Sequence, residues 1–156
     1  MDNLERVLKE HPFLAGFDDK YIKLLVGCAS NVAYKSGEYI FRESEDANHF
    51  YFIRNGKIKV ETYCPQHGPL IISTCGEGDI VGWSWLVPPY KWHFDAKAVE
   101  VTRVITIDGK CLREKCEQDH DLGYEIMKRF ALIIAERLEQ TRIQLLDIYG
   151  NHTKKQ

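Results

Sequence analysis

The sequence of 156 residues contains no apolar run of the roughly 18 residues that a membrane-spanning helix requires. Its first residues are charged and amphipathic, so they lack the pattern of a secretory signal peptide. The five cysteines are an odd number, and without a leader peptide we expect them to stay reduced. Together these absences favour a cytoplasmic protein with no membrane partner.

The chain also has little net charge, −2 at pH 7, and so no overall electrostatic signature for nucleic acid. It has no Walker A loop and no HExxH pair, and a Gly-x-Ser candidate at residues 82–86 lacks the second glycine of a nucleophile elbow. Cys111 and Cys116 are five residues apart, which puts them on different faces of a helix and disfavours zinc. We therefore expect no catalytic residue, no metal site and no cofactor.

Three regions that differ in the spacing of their apolar residues follow one another along the chain. Apolar residues at helical spacing occupy residues 2–28, and short β-rich runs separated by turn residues occupy residues 31–108. Residues 109–149 are helical again, and residues 151–156 form a polar tail. This order predicts one domain over residues 1–150, a β-roll with helices before and after it.

Local signals place several boundaries within these regions. Asp2 or Asn3 can cap a first helix that His11-Pro12 ends, and Asp18 can cap a second helix. Asn55-Gly56 between two apolar runs predicts a hairpin turn. After the last turns of the β-rich region, we expect one strand from Ala96 to Ile107.

The C-terminal helix carries apolar residues at alternating spacings of three and four over more than three heptads, a pattern that favours pairing with a second copy. The residues of this seam are Tyr124, Met127, Ala131, Ile134, Leu138, Thr141, Leu145 and Ile148. A second stripe in the first half consists of Leu122, Ile126, Phe130 and Ile133. We expect the first half to pack on the β-roll and the later half to form a homodimer through residues 124–148. The alternative is a helix that only covers one sheet.

Several motifs in the same order resemble the cyclic-nucleotide-binding fold of the catabolite-activator and fumarate-nitrate-regulator superfamily. The matching segments are His11 to Leu14 with Phe17, Ser36 to Glu43, Phe50 to Val60, and the turn from Gly76 to Gly82. This resemblance implies a mainly β fold with flanking helices, a double-stranded β-helix (jelly roll) followed by a long dimerisation helix. It also implies a regulatory function rather than an enzymatic one.

The phosphate-binding cassette of that family is altered here. In the family the turn is followed by a Glu that binds the ribose hydroxyl, and an Arg about ten residues later binds the cyclic phosphate. Trp83 stands at the Glu position, and Trp92 or His93 stands at the Arg position. Because charge-assisted contacts contribute about 1.5–3 kcal/mol each, we expect weak or absent binding of cyclic AMP and cyclic GMP. Tight binding would require another cation, such as Arg103 or Arg142, to replace the Arg.

A ligand site is nevertheless expected beside the turn. A short helix starting near Gly82 would direct the N–H groups of Ser84, Trp85 and Leu86 at an anion. The resemblance places Thr141 where the family's cyclic-AMP regulators contact the adenine. The complete set of expected ligand-binding residues is Ile72, Ser73, Gly82, Trp83, Ser84, Trp85, Trp92, His93 and Thr141.

Three functions fit these observations. The first is a cytoplasmic sensor module that binds a small nucleotide-like or aromatic effector in the β-roll and signals through its dimer helix. The second is a ligand-independent dimeric interaction module whose pocket is plugged by Trp83 and Trp92. The third is a truncated transcription regulator, since members of the superfamily continue into a helix-turn-helix domain that this sequence does not show. Direct DNA binding by these residues is not expected.

Overall fold

A computed structural model describes the backbone of residues 3–154 and the side chains of residues 3–150. The N-terminal part consists of α1 (Asn3–Glu10), a 3-10 turn (Pro12–Leu14) and α2 (Asp19–Val26). Pro12 follows the end of α1 as expected, and the Asp18 carboxylate caps α2 by accepting from the Lys20 N–H at 3.0 Å. The proposed capping residue Asp2 lies outside the described residues.

The β-rich region forms two antiparallel four-stranded sheets over the described residues. The first sheet has the order β1-β8-β3-β6 and the second the order β2-β7-β4-β5. The strands are β1 (Ala29–Tyr34), β2 (Tyr39–Phe41), β3 (His49–Asn55), β4 (Ile58–Cys64), β5 (Gly68–Cys75), β6 (Ile80–Val81), β7 (Asp95–Ala98) and β8 (Thr102–Asp108).

Strand β3 is buried on both faces and separates two cores. Successive side chains of a strand point to opposite faces, so Phe50 and Phe52 pack with the helices while Tyr51 and Ile53 pack between the two sheets. Strand β3 is a continuous run of apolar residues because one face packs against the helices and the other fills the roll. The jelly-roll architecture expected from the sequence is confirmed.

The expected strand from Ala96 to Ile107 is instead two strands. Strand β7 belongs to the second sheet and β8 to the first, so the chain must cross between the sheets after Ala98. The Thr102 hydroxyl stabilises this crossing by donating to the Glu100 carbonyl at 2.9 Å.

The C-terminal helical region is also divided, into α3 (Gly109–Gln118) and α4 (His120–Lys154). Asp119 has an extended backbone, and its carboxylate accepts from the N–H groups of Asp121 and Leu122, so it caps α4. Helix α4 continues past the expected helix end at 149 as far as Lys154, while the domain boundary at 150 and the polar tail from 151 stay predictions. Gly150 lowers helix propensity, but one glycine without a following proline does not end a helix.

The first half of α4 packs on the β-roll as expected. Leu122, Ile126 and Phe130 are fully buried against β3 and the N-terminal helices, and Ile133 is partly buried beside them. Arg129 adds polar contacts, donating from Nε to the Phe13 carbonyl and from Nη2 to the Ala15 carbonyl, both at 2.9 Å.

The later half of α4 does not leave the roll where expected. The Arg137 guanidinium donates to the Ile80 carbonyl, and Gln144 Nε2 donates to the Ile72 carbonyl at 2.9 Å. Helix α4 therefore borders the roll as far as residue 144 while its outer face stays exposed. Leu138 belongs to the seam expected to pair, but its side chain also lines a cavity next to the roll.

Cys28 and Cys111 are joined by a disulfide bond, so the expectation that all thiols are reduced is wrong for this pair. The bond links the end of the N-terminal helical part to α3, and the Asp108 N–H donates to the Cys28 carbonyl at 2.8 Å beside it.

Within residues 3–154, none of the helices combines the length and apolar character needed to cross a membrane.

Candidate functional site

A cavity of about 230 Å³ lies between the β-roll and α4. Its wall combines strands of both sheets, the segment after β6, and four side chains of α4. The lining residues are Phe41, Val60, Ile72, Ser73, Val81, Gly82, Trp83, Ser84, Trp92, Phe94, Ile134, Arg137, Leu138 and Thr141.

Gly82 shapes one wall of the cavity. Its φ of +97° lies in the region that favours glycine, and this turn directs the chain away from β6. A Cβ atom at this position would lie 2.7 Å from Cη2 of Trp92. The turn therefore needs a glycine both for its backbone angle and for the close approach of the indole ring.

Trp92 forms a wall of the cavity and does not fill it. Its ring stacks on Phe41 with centroids 3.7 Å apart and planes 8° from parallel, and only 5% of the residue is exposed. Tyr51 lies on the same cluster, 6.5 Å from Trp92 between centroids. This packing fixes the ring in the core of the roll and leaves the adjoining space open.

Arg137 is the charged residue in the wall of the cavity. Its Nη2 donates to the Ile80 carbonyl and to Cys75 Sγ, the latter at 3.4 Å. No carboxylate of the described residues lies within ion-pair distance of this guanidinium. Burial raises the pKa of the Cys75 thiol, and the positive charge of Arg137 opposes that rise. Cys75 is therefore a neutral partner of the guanidinium, while Asp79 and Glu136 line a neighbouring cavity with Arg137 without forming an ion pair with it.

Three hydroxyl groups accompany this cation. Thr141 donates its hydroxyl to the Arg137 carbonyl at 2.9 Å, within the helix. Ser84 is buried, and the buried Ser73 hydroxyl has the Cys75 thiol as its neighbour rather than a strong acceptor. A thiol is a weak hydrogen-bond partner, so the Ser73 hydroxyl is a group to which a ligand could offer a better one.

Most of the residues expected in the site line this cavity. They are Ile72, Ser73, Gly82, Trp83, Ser84, Trp92 and Thr141. Trp85 does not join them, because its ring is fully buried in the other core, stacked 4.9 Å from Phe50. His93 is exposed on the outside, with its ring 6.0 Å from that of Trp83.

The expected anion site at a helix start is not formed. The helix at this place is a single 3-10 turn over Ser84–Leu86, and the Leu86 N–H donates to the Trp83 carbonyl at 3.1 Å. That N–H is occupied, and three residues are too few for a helix dipole of useful size.

The sequence reasoning missed the contribution of α4 other than Thr141. Ile134, Arg137 and Leu138 precede Thr141 by seven, four and three residues, so helical spacing places them on the same face. This helical spacing from Thr141 is the sequence signal that could have identified the three residues. The two cations named as replacements are not in the wall: Arg142 pairs with Glu139 at 2.6 Å, and Arg103 is an exposed residue of β8.

Comparisons with known proteins agree with the fold. Residues 31–119, more than half of the chain, match the family described as cyclic nucleotide-binding domain. The chain is 29% identical over 113 residues to the anaerobic regulatory protein of Bacillus subtilis (strain 168). This match covers 72% of the chain and 47% of the relative, so the chain spans about half of that protein's length.

Two solved structures are also similar. A protein from Geobacter metallireducens GS-15, assigned to the cyclic nucleotide-binding proteins, is 27% identical, with 88% of this chain and 99% of that chain covered and a TM-score of 0.79. A cyclic nucleotide-binding domain from Methylobacillus flagellatus KT is 15% identical, with 92% and 84% covered and a TM-score of 0.81. At that identity the second likeness concerns the fold alone.

Proposed function

Because this chain belongs to the cyclic nucleotide-binding domain family, we propose that it is a regulatory module that binds a small effector in the cavity between the roll and α4. The resemblance drawn from the sequence is confirmed at the level of the family. The effector and the way its binding is transmitted are the proposed part.

One observation carries the proposal: α4 supplies part of the cavity wall. Ile134, Arg137, Leu138 and Thr141 face the same space as Trp83 and the strands. An effector in the cavity would touch the roll and the helix together, so its binding energy would depend on the position of α4. Such differential contact is the physical requirement for a ligand to shift a conformational equilibrium.

Cyclic AMP and cyclic GMP are not the effectors that we propose. Trp83 offers one donor and no acceptor in place of the cassette Glu, and His93 is exposed outside the cavity. The ribose and phosphate contacts of the family therefore have no counterpart in the cassette, and we expect dissociation constants weaker than micromolar for both nucleotides.

The plugged alternative is less well supported. It requires Trp83 and Trp92 to fill the pocket, whereas Trp92 packs on Phe41 and a cavity of about 230 Å³ remains beside both rings. That volume exceeds the roughly 150 Å³ of an engineered protein cavity that holds benzene.

The proposed output is a homodimer through residues 124–148. The outer face of α4 leaves large apolar side chains in water, among them Leu145 at 50% and Ile148 at 63% exposure. Burial of such surface contributes about 25 cal/mol per Å², so a second copy of α4 is a favourable partner. Since the same helix lines the cavity, effector binding would alter how two copies meet.

The proposal also covers where the module acts and what it does not do. The module is proposed to act in the cytoplasm, without catalysis and without contacting DNA through residues 1–150. If these residues form part of a longer regulator, the same cavity would control the segment that follows α4.

The proposal is tested by titrating the purified protein with nucleotides and small metabolites while following tryptophan fluorescence. Two of its three tryptophans, Trp83 and Trp92, line the cavity. An effector should shift the emission, and Thr141→Phe, which fills the cavity without adding an indole, should abolish the shift. Gln140→Phe is the control, because it places the same ring on the neighbouring residue, which does not line this cavity. An unchanged spectrum across the whole panel would count against the sensor function.

A further inference from the structure

We infer that the effector is a small aromatic carboxylate whose anionic group binds Arg137 of α4 rather than the cassette. This inference rests on the proposed function, since it names the chemical class of ligand for the same cavity. It is carried by the charge of the wall, its aromatic surface and the volume enclosed.

The charge of the wall favours a monoanion. Arg137 is the ionised group in the lining, and no Asp or Glu of the described chain lies among the lining residues. The guanidinium uses Nη2 for Ile80 and Cys75, which leaves the N–H groups of Nε and Nη1 without an acceptor among the described residues. An incoming carboxylate could accept charge-assisted hydrogen bonds from these groups.

The Ser73 hydroxyl supports the same assignment. Its oxygen is buried, it lines the cavity, and its neighbour is the Cys75 thiol, which is a weak hydrogen-bond partner. A hydroxyl can donate to a carboxylate oxygen while a guanidinium binds the other oxygen. Arg137 and Ser73 belong to different elements, α4 and β5, so the anion would link the helix to the roll.

The rest of the surface favours an aromatic ring. Phe41, Trp83, Trp92 and Phe94 contribute ring faces or edges, and the aliphatic side chains come from both sheets and α4. Aromatic pairs in stacked or edge-to-face contact contribute about 0.5–1.5 kcal/mol beyond the area that they bury. A flat apolar group fits this lining better than a ribose, whose hydroxyls would need several polar partners.

The volume sets the size of the ligand. The cavity is about one and a half times as large as the roughly 150 Å³ cavity that holds benzene. In proportion, it holds about nine non-hydrogen atoms, the size of benzoate, and phenylacetate or indole-3-carboxylate would extend toward the open side of the cavity. Cyclic AMP has about twice that number of atoms, so more of it would lie outside this space.

The test compares acids with their neutral amides on the unmodified protein. Phenylacetate is paired with phenylacetamide, and indole-3-carboxylate with indole-3-carboxamide, with affinities measured by calorimetry. A charge-assisted contact predicts that each acid binds about ten- to a hundredfold more tightly than its amide. Acetate, which has the charge without the ring, should show no measurable binding.

A substitution then locates the anion. Arg137→Gln should reduce the acid affinity to that of the amide and leave the amide affinity unchanged. Arg142→Gln is the matched control, because this arginine lies on the same helix but pairs with Glu139 outside the cavity. Its acid-to-amide ratio should remain that of the wild type. Ser73→Ala should give a smaller loss, and it serves as the second variant if Arg137→Gln does not fold.

The outcomes separate this inference from the proposed function. Equal affinities of acid and amide, or a nucleotide that binds the cavity while the aromatic acids do not, would overturn the aromatic carboxylate and leave a sensor. Failure of every compound, acids and nucleotides alike, would overturn both. Loss of acid binding in Arg142→Gln but not in Arg137→Gln would place the anion elsewhere and contradict the role of Arg137.

Discussion

At the scale of single residues, Gly82 is the position where the smallest change should have the largest effect on the cavity. Gly82→Ala would combine an unfavourable φ with a 2.7 Å contact to Trp92, and we expect it to lower the free energy of unfolding by about 2–4 kcal/mol. Gly68→Ala is the matched control: φ is +78°, but no atom lies within 4 Å of the added methyl group. Gly68→Ala should lower the free energy of unfolding, measured by chemical denaturation, by only about 1–2 kcal/mol.

A double-mutant cycle isolates the steric part of this effect. Trp92→Phe removes the ring atoms nearest to Gly82, so Gly82→Ala should be less destabilising in that background. Equal costs of Gly82→Ala with and without the indole would show that the backbone angle alone requires glycine.

His11 predicts a pH dependence of stability at the same scale. Burial lowers its pKa below 6.5, with Asp79 opposing the shift, and Nδ1 accepts the Phe13 N–H at 3.2 Å. The unfolded chain therefore binds a proton at a higher pH than the folded protein does. Stability from this group is complete above about pH 7 and declines as the pH falls through 6.5 toward the folded-state pKa.

The measurement is the free energy of unfolding in urea at about pH 7.5 and pH 5.5, for wild type and His11→Asn. Asparagine retains an acceptor for the Phe13 N–H but does not titrate. The loss of stability on acidification should be smaller in the variant. An identical loss in both proteins would show that His11 titrates normally in the folded state.

Residue identities predicted the strands better than they predicted the site. The cassette alignment placed Trp83 and Trp92 correctly in one cavity wall, but it could not show that Trp85 belongs to the opposite core. The three residues from Trp83 to Trp85 lie in a turn, where neither the period of a strand nor that of a helix fixes the direction of side chains.

At the scale of elements, Arg129 is the main polar link between α4 and the N-terminal turn. Its fork donates to the carbonyls of Phe13 and Ala15 and pairs with Glu125, and only 14% of the side chain is exposed. Hydrogen bonds from charged groups are stronger than neutral ones, so Arg129→Gln should lower the free energy of unfolding by about 2–3 kcal/mol.

Two further variants test the geometry of this link. Arg129→Lys should recover little, because an ammonium cannot serve both carbonyls as the planar fork does. Lys128→Gln, which removes the exposed neighbouring ion pair with Glu125, should change stability by less than about 0.5 kcal/mol. A similar small effect for Arg129→Gln would show that packing alone holds α4 on the roll.

The elements with strong periodicity were the predictable ones. The stripe of Leu122, Ile126 and Phe130 correctly identified the packed face of α4, because helical spacing and burial have the same period. The division between β7 and β8 was not predictable in this way. Strand β7 is apolar on alternate residues and β8 has adjacent apolar residues, Val104 and Ile105, but neither pattern marks the change of sheet, which is a property of the topology.

At the scale of the whole molecule, the exposed face of α4 predicts the oligomeric state. Leu138 lines the cavity, so the substitutions that test pairing alone are Leu145→Asp and Ile148→Asp. The double variant should be monomeric in light scattering at tens of micromolar, whereas the wild type should be a dimer, because the buried apolar seam stabilises pairing. Its circular dichroism and thermal unfolding should still show a folded roll.

Gln140→Asp, on an exposed polar position of the same helix, is the control and should leave the dimer intact. A wild-type protein that is monomeric at these concentrations would contradict the proposed pairing. A double variant that loses its folded roll would show instead that residues 145 and 148 support the fold.

The bond between Cys28 and Cys111 makes the segment between them a closed covalent ring that contains all of β1 to β8. A backbone cut inside a ring opens it without dividing the molecule. Proteolysis at the exposed tip between β4 and β5, around Gln66 and His67, would thus leave one covalent molecule, whose two pieces separate on a denaturing gel only after reduction. In a reducing compartment the same cut would leave two chains held by packing and strand pairing alone, so the redox state of this cysteine pair decides whether a nicked molecule stays covalently whole.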